Sequence, residues 1–128
     1  MLEVHQFPCL HDNYGFILRD AASGQVATVD TPDADAITIQ LEQRGWGLDV
    51  IMNTHHHPDH AGGNLALKER YGCRIVGPRG EAATIPGIDV LLGDADVFEL
   101  GESRAMVYET PGHTLGHIVY HFADDAIA

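Results

Sequence analysis

The sequence predicts an α/β fold built on a partly parallel sheet. Three observations carry that expectation. Short runs rich in branched residues alternate with helical segments between Gln25 and Val76, turn residues separate them, and a dense group of histidines falls directly behind one run. In such sheets the functional loops lie beyond the carboxyl ends of the strands, so the group is well placed for chemistry.

Residues 2–8 alternate loosely and are expected as an edge strand ending at Pro8. Residues 13–19 and 25–29 read as a hairpin around Ala22-Ser23-Gly24, and Asp30 closes its second strand. Thr31-Pro32-Asp33 then announces a helix through a capping hydroxyl, a first-turn proline and an acid. Ala34, Ile37 and Leu41 recur at helical spacing, with Gly45 as the stop. Residues 48–54 form a buried strand that runs into the histidines. Asn64 is expected to cap a second helix ending at Gly72, and residues 74–76 form the next strand. Residues 90–92, 97–100 and 104–108 read as three more strands divided by Gly93-Asp94 and Gly101-Glu102, and residues 118–122 as a last one. No repeat or linker interrupts this order, so residues 1–128 are expected as one domain.

Composition narrows the function. Hydrophobic content of 45% and charged content of 20% describe a globular chain. Nineteen acidic against seven basic residues give a net charge of −12, which repels phosphate backbones and anionic membrane surfaces and argues against both as partners. Apolar runs are far too short for a membrane span, and Met1-Leu2-Glu3-Val4-His5 carries no secretory signal. Cys9 and Cys73 read as small hydrophobes rather than a disulfide, which fits a reducing cytoplasm.

The chemistry concentrates in Thr54-His55-His56-His57-Pro58-Asp59-His60-Ala61-Gly62-Gly63-Asn64. Imidazole and carboxylate suit zinc, iron or manganese. His55 and His57 are two apart, so on extended backbone both side chains point the same way and can share one ion. Asp59 and His60, just before the glycine pair, suit a second ion, while His56 and Pro58 point away. His113, within Thr110-Pro111-Gly112-His113-Thr114 behind another strand, is a candidate third imidazole, and His117 an orienting or core residue. For His5, His11 and His121 a surface or satisfied core position is the better reading.

The histidine stretch followed by Ala61-Gly62-Gly63-Asn64 resembles the signature of the metallo-β-lactamase superfamily, and within it most of all the glyoxalase II enzymes, the hydroxyacylglutathione hydrolases. Asp12-Asn13-Tyr14, Val29-Asp30 and Thr110 through His117 resemble further parts of that pattern. The resemblance implies an αββα sandwich with a two-metal site at one rim of the paired sheets. It places His55, His57 and His113 on the first metal and Asp59 and His60 on the second, with zinc first among iron and manganese. Asp59 is the motif residue given proton handling besides ligation. The implied reaction is hydrolysis of S-D-lactoylglutathione to D-lactate and glutathione, the second step of methylglyoxal detoxification.

The family's bridging aspartate, final histidine and glutathione-binding helical region have no counterpart in these residues, so the chain is expected to be the N-terminal portion of the sandwich, mainly a mixed sheet with flanking helices. One sheet face is then left uncovered, and the fragment is expected to be poorly stable and nearly inactive alone. Two other readings compete: a different enzyme of the superfamily, such as a persulfide dioxygenase with one iron, and a non-catalytic metal-binding protein.

Overall fold

The structure, a computed structural model, describes residues 2–9, 13–55, 61–110 and 118–123. Within them the chain runs β1 (Leu2–Cys9), β2 (Asn13–Asp20), β3 (Val26–Val29), α1 (Ala34–Arg44), β4 (Val50–Met52), α2 (Asn64–Tyr71), β5 (Arg74–Pro78), a 3₁₀ turn (Arg79–Glu81), β6 (Val90–Leu92), β7 (Val97–Leu100), β8 (Ser103–Glu109) and β9 (Ile118–His121). The first six strands form one sheet in sequence order, and β7-β8-β9 form a second. Strands β1 to β3 pair antiparallel, whereas β3 to β6 pair parallel, so the first sheet is mixed. The second sheet is antiparallel throughout.

Alternation along the strands builds two cores. Ala27, Val50, Met52 and Val76 point to one face and pack on Phe98, Leu100, Ala105, Val107, Ile118 and Phe122 of the second sheet. Ile17, Val26, Ile51 and Ile75 point the other way and meet Ile37 and Leu41 of α1 and Leu67 of α2. Strand β4 is therefore sealed on both faces, with Val50, Ile51 and Met52 all 0% exposed, as a central parallel strand between two layers requires. The layers run helix, sheet, sheet. The outward face of the second sheet carries Val97 and Tyr108, 47% and 45% exposed.

Two helix starts differ from expectation. Asp33, not Thr31, caps α1: its Oδ1 accepts from the amides of Asp35 and Ala36 at 3.0 and 3.3 Å. Asn64 is the first residue of α2 rather than its cap, because Gly63 holds the cap position without a side-chain bond. Both Thr31 and Asn64 spend their side chains on each other instead. Gly45 and Gly72 do end the helices, in left-handed conformation. The strand expected over 48–54 is trimmed to Val50–Met52: the Asn53 amide still donates to Val76 O at 2.8 Å, whereas Asp49 turns its carboxylate onto the Val26 amide and the Thr54 amide goes to Asp30.

The sheets are fastened at the end remote from the histidines. Asp20, at the end of β2, accepts from the Ser23 amide and hydroxyl at 3.0 and 2.6 Å, the Glu102 amide at 3.0 Å and the Ser103 hydroxyl at 2.6 Å. Burial alone would raise its pKa. The bonds from Glu102, Ser103 and Ser23 outweigh that and hold the carboxyl well below the usual carboxylate range. Gly101, at φ 58°, lets the β7–β8 turn press onto this node, since a Cβ there would overlap Ser23 and Asp20. Among the described residues, no helix is long and apolar enough to cross a membrane.

Candidate metal centre

Strand β3 delivers Asp30 to the rim of the sheet in a left-handed conformation, φ 59°, uncommon for a residue with a side chain. Its amide donates to Met52 O at 2.8 Å, which sets the carboxylate across the end of β4. Asp30 Oδ1 then accepts from the Thr54 amide at 2.7 Å and, more weakly, from Asn53 Nδ2 at 3.4 Å, while Oδ2 lies 2.7 Å from Thr54 Oγ1. Thr54 Oγ1 is also 2.9 Å from Nδ1 of His55.

That chain of contacts fixes a proton. A hydroxyl has one hydrogen to give, and a carboxylate only accepts, so Thr54 donates to Asp30. Its oxygen must then receive the hydrogen of His55 Nδ1–H. Hydrogen-bond logic thus assigns His55 the tautomer whose lone pair is on Nε2, the form in which an orienting carboxylate or hydroxyl prepares a metal-binding imidazole. His55 is buried, 2% exposed, so the ring is held by packing as well.

The far side of the histidine stretch is held at the same corner. Gly63 donates its amide to Thr31 O at 3.0 Å and Thr31 Oγ1 at 3.1 Å. A Cβ on Gly63 would sit 3.1 Å from Thr31 O and 3.2 Å from Ala34 Cβ, a tight approach that favours glycine. Asn64 Oδ1 accepts from Thr31 Oγ1 at 2.7 Å, and its Nδ2 donates to Asn53 Oδ1 at 2.6 Å and Pro86 O at 3.1 Å. Asp30, Thr31, Asn53 and Asn64 are all buried, and together they tie Thr54 on entry and Gly63 on exit to the β3–α1 corner.

The β8–β9 end of the second sheet meets the same rim. Strand β8 ends at Glu109, paired with Ile118 at the start of β9. There the Ile118 amide donates to Thr54 O at 3.0 Å, and the buried Tyr120 hydroxyl donates to Asn53 O at 2.7 Å. Burial, helped by the charge of Asp30, pushes the Tyr120 phenol well above its ordinary pKa and keeps it a donor.

Of the residues expected from the sequence, His55 is placed at this rim, while His57, Asp59, His60 and His113 lie outside the described residues, as do His11, His56 and His117. Among the described residues no three His, Cys, Asp or Glu side chains gather to hold a metal ion. The described part nevertheless fits one: a buried imidazole whose Nε2 lone pair is set by a carboxylate–hydroxyl relay. His5 packs edge-on to Trp46 at 5.4 Å and His121 lies 6.1 Å from the Tyr108 ring on the outward face of β9. Cys73 is a buried free thiol whose pKa is raised by burial, in keeping with a hydrophobic role. Sequence reading singled out Asp30 but missed Thr54 as its link to His55, gave Thr31 only a helix-capping role and gave Asn53 none.

A family model described as the metallo-beta-lactamase superfamily matches residues 28–128. Hydroxyacylglutathione hydrolases from Hyphomonas neptunium and Maricaulis maris are 52% and 51% identical over 128 and 127 residues, 100% and 99% of this chain and 50% of each relative. The chain thus spans about half the length of the curated relatives it matches. Among solved structures, the ETHE1 protein of Myxococcus xanthus aligns with TM-score 0.79 at 27% identity, covering 95% of this chain and 54% of that one. A metallo-beta-lactamase from Staphylococcus aureus aligns with TM-score 0.81 at 20% identity, covering 98% and 38%, and supports the fold alone.

Proposed function

Since the chain belongs to the metallo-β-lactamase superfamily, we propose that it forms part of a thioester hydrolase that cleaves S-D-lactoylglutathione to D-lactate and glutathione. Membership implies a divalent-metal site. The observation that carries the metal reading is the Asp30–Thr54–His55 relay, which gives a buried imidazole the lone pair a metal needs on Nε2. The substrate rests on the hydroxyacylglutathione hydrolases that are about half identical to this chain over its whole length.

In this reading His55, His57 and His113 hold one metal, and Asp59 and His60 contribute to a second, with zinc first among zinc, iron and manganese. When bound, the metal supplies water activated near neutral pH and a Lewis acid for the thioester carbonyl. The chain's own residues do the rest: Asp30 and Thr54 keep the proton of His55 on Nδ1, the Thr31–Asn64 brace holds the loop between them, and Asp59 handles a proton. Thiolate is a good leaving group, so no further acid is required. The cytoplasm, where glutathione is reduced, is the proposed location.

The test is turnover of S-D-lactoylglutathione by the protein as its gene encodes it, stripped with a chelator and reloaded with zinc. Hydrolysis should vanish on stripping, return on reloading, and be absent in His55→Ala. Turnover that survives chelation, or none in the reloaded protein, contradicts the proposal. The 128 residues alone should hydrolyse little; full activity with two metals per chain would overturn that expectation.

A further inference from the structure

Strand β4 ends at Met52, and the peptide units that follow decide where the Thr54 hydroxyl stands. A peptide is a rigid plane whose C=O and N–H point opposite ways. The unit joining Asn53 to Thr54 is held at both ends: the Thr54 amide donates to Asp30 Oδ1 at 2.7 Å, and Asn53 O accepts from the Tyr120 hydroxyl at 2.7 Å. In the next unit Thr54 O accepts from the Ile118 amide at 3.0 Å. Asp30, behind β3, therefore holds one side of Thr54, while β9 of the other sheet holds the carbonyls on both flanks.

Ile118 donates from its backbone, but Tyr120 does so with a side chain, from a position 67 residues along the chain. Tyr120 is 5% exposed and belongs to the core between the sheets that also holds Met52, Val76 and Ile118. A phenol is costly to bury unless its O–H is bonded, and phenylalanine fills the same space without that cost. The other neighbour of the hydroxyl, Val76 O at 3.5 Å, is too distant for a good bond and already accepts the Asn53 amide at 2.8 Å. Asn53 O is what the hydroxyl serves.

We infer that Tyr120 is a positioning residue for the metal centre: its hydroxyl fixes the peptide plane before Thr54 and, through Thr54, the ring of His55. Without that donor the plane tilts towards another partner, and the Thr54 amide at its far end leaves Asp30 Oδ1. Thr54 Oγ1, poised 2.7 Å from Asp30 Oδ2 and 2.9 Å from His55 Nδ1, moves with it. The inference rests on the metal reading above and extends it, since the second sheet then helps to set a ligand that the first sheet carries.

The test reads zinc affinity of the gene-encoded protein by competition with a chromophoric chelator, with a urea curve for each variant so that affinity is expressed per folded molecule. Tyr120→Phe keeps the ring and removes one oxygen. Phe98→Leu is the control, because it loosens the same core from β7, with β8 between it and β9. Tyr120→Phe should bind zinc about tenfold more weakly, the scale of a lost partner behind a metal ligand, while Phe98→Leu lowers the urea midpoint and binds as wild type. In a Thr54→Val background Tyr120→Phe should bring no further loss, because the hydroxyl it acts through is already gone. Wild-type affinity in Tyr120→Phe, an equal loss in Phe98→Leu, or losses that add in the double variant would each overturn the role of Tyr120 and leave the metal reading standing. A wild type that binds no zinc overturns both.

Discussion

Asp20 and Asp30 end adjacent strands of the same sheet, at opposite edges of the molecule, and from a burial map they look alike. Asp20 is 0% and Asp30 6% exposed, and each accepts hydrogen bonds from amides and hydroxyls. They differ in what lies behind the donor. The hydroxyls of Ser23 and Ser103 donate to Asp20, and behind Ser23 lies only the backbone amide of Gln25, so that network stays among turn residues and joins two sheets. The hydroxyl of Thr54 passes on to Nδ1 of His55, so the Asp30 network ends on the ring of the candidate metal ligand. A buried carboxylate at a strand end therefore says nothing about function until the next contact is followed.

If that comparison is right, the two nodes come apart under mutation. The largest effect is expected at the structural one. Asp20→Ala strands the donors of Ser23, Glu102 and Ser103 and should cost about 3 kcal/mol or more in urea unfolding, with zinc affinity per folded molecule unchanged. A parallel loss of affinity would merge the two nodes. Asn64→Ala cuts the brace behind the histidine stretch. It should cost about 2 kcal/mol and also weaken zinc binding, because the Thr31 and Asn53 side chains lose their buried partner.

Acid separates the nodes in a further way. The Asp20 carboxyl is depressed in the folded state, so its contribution is fully present above the unfolded carboxyl pKa, about 4, and is lost as the pH falls from there towards the folded value. Urea midpoints of wild type should drop below about pH 4, and Asp20→Asn should flatten that slope. An unchanged slope would mean that other carboxylates govern acid unfolding. The smallest effect is a gain: Thr28 is fully buried, its hydroxyl has no hydrogen-bond partner among the described residues, and Thr28→Val should stabilise by about 1 kcal/mol without touching either node.

Much of this architecture was legible in local sequence. Gly45 and Gly72 mark the helix ends because left-handed caps favour glycine, and the alternation of β7 and β8 announces a sheet with one buried face. The helix starts were not, because Thr31, Asp33 and Asn64 are all competent caps and long-range partners decide between them. Thr31 and Asn64 are 33 positions apart, and only the folded corner shows that they satisfy each other. The Asp20 node spans 83 positions to Ser103 and has no local signature. At the candidate site, histidine density pointed to the chemistry and Asp30 was suspected. The relay through Thr54 was hidden, because a threonine before a histidine is unremarkable until a carboxylate arrives from a neighbouring strand.

The most direct test of the account is the zinc affinity of Thr54→Val, measured by competition with a chromophoric chelator beside a urea unfolding curve. The change removes the hydroxyl and little else. If Thr54 sets the His55 tautomer, zinc should bind about 10- to 100-fold more weakly while stability of the metal-free protein shifts by about 1 kcal/mol or less. Wild-type affinity in Thr54→Val would contradict the claim that this relay prepares the metal ligand.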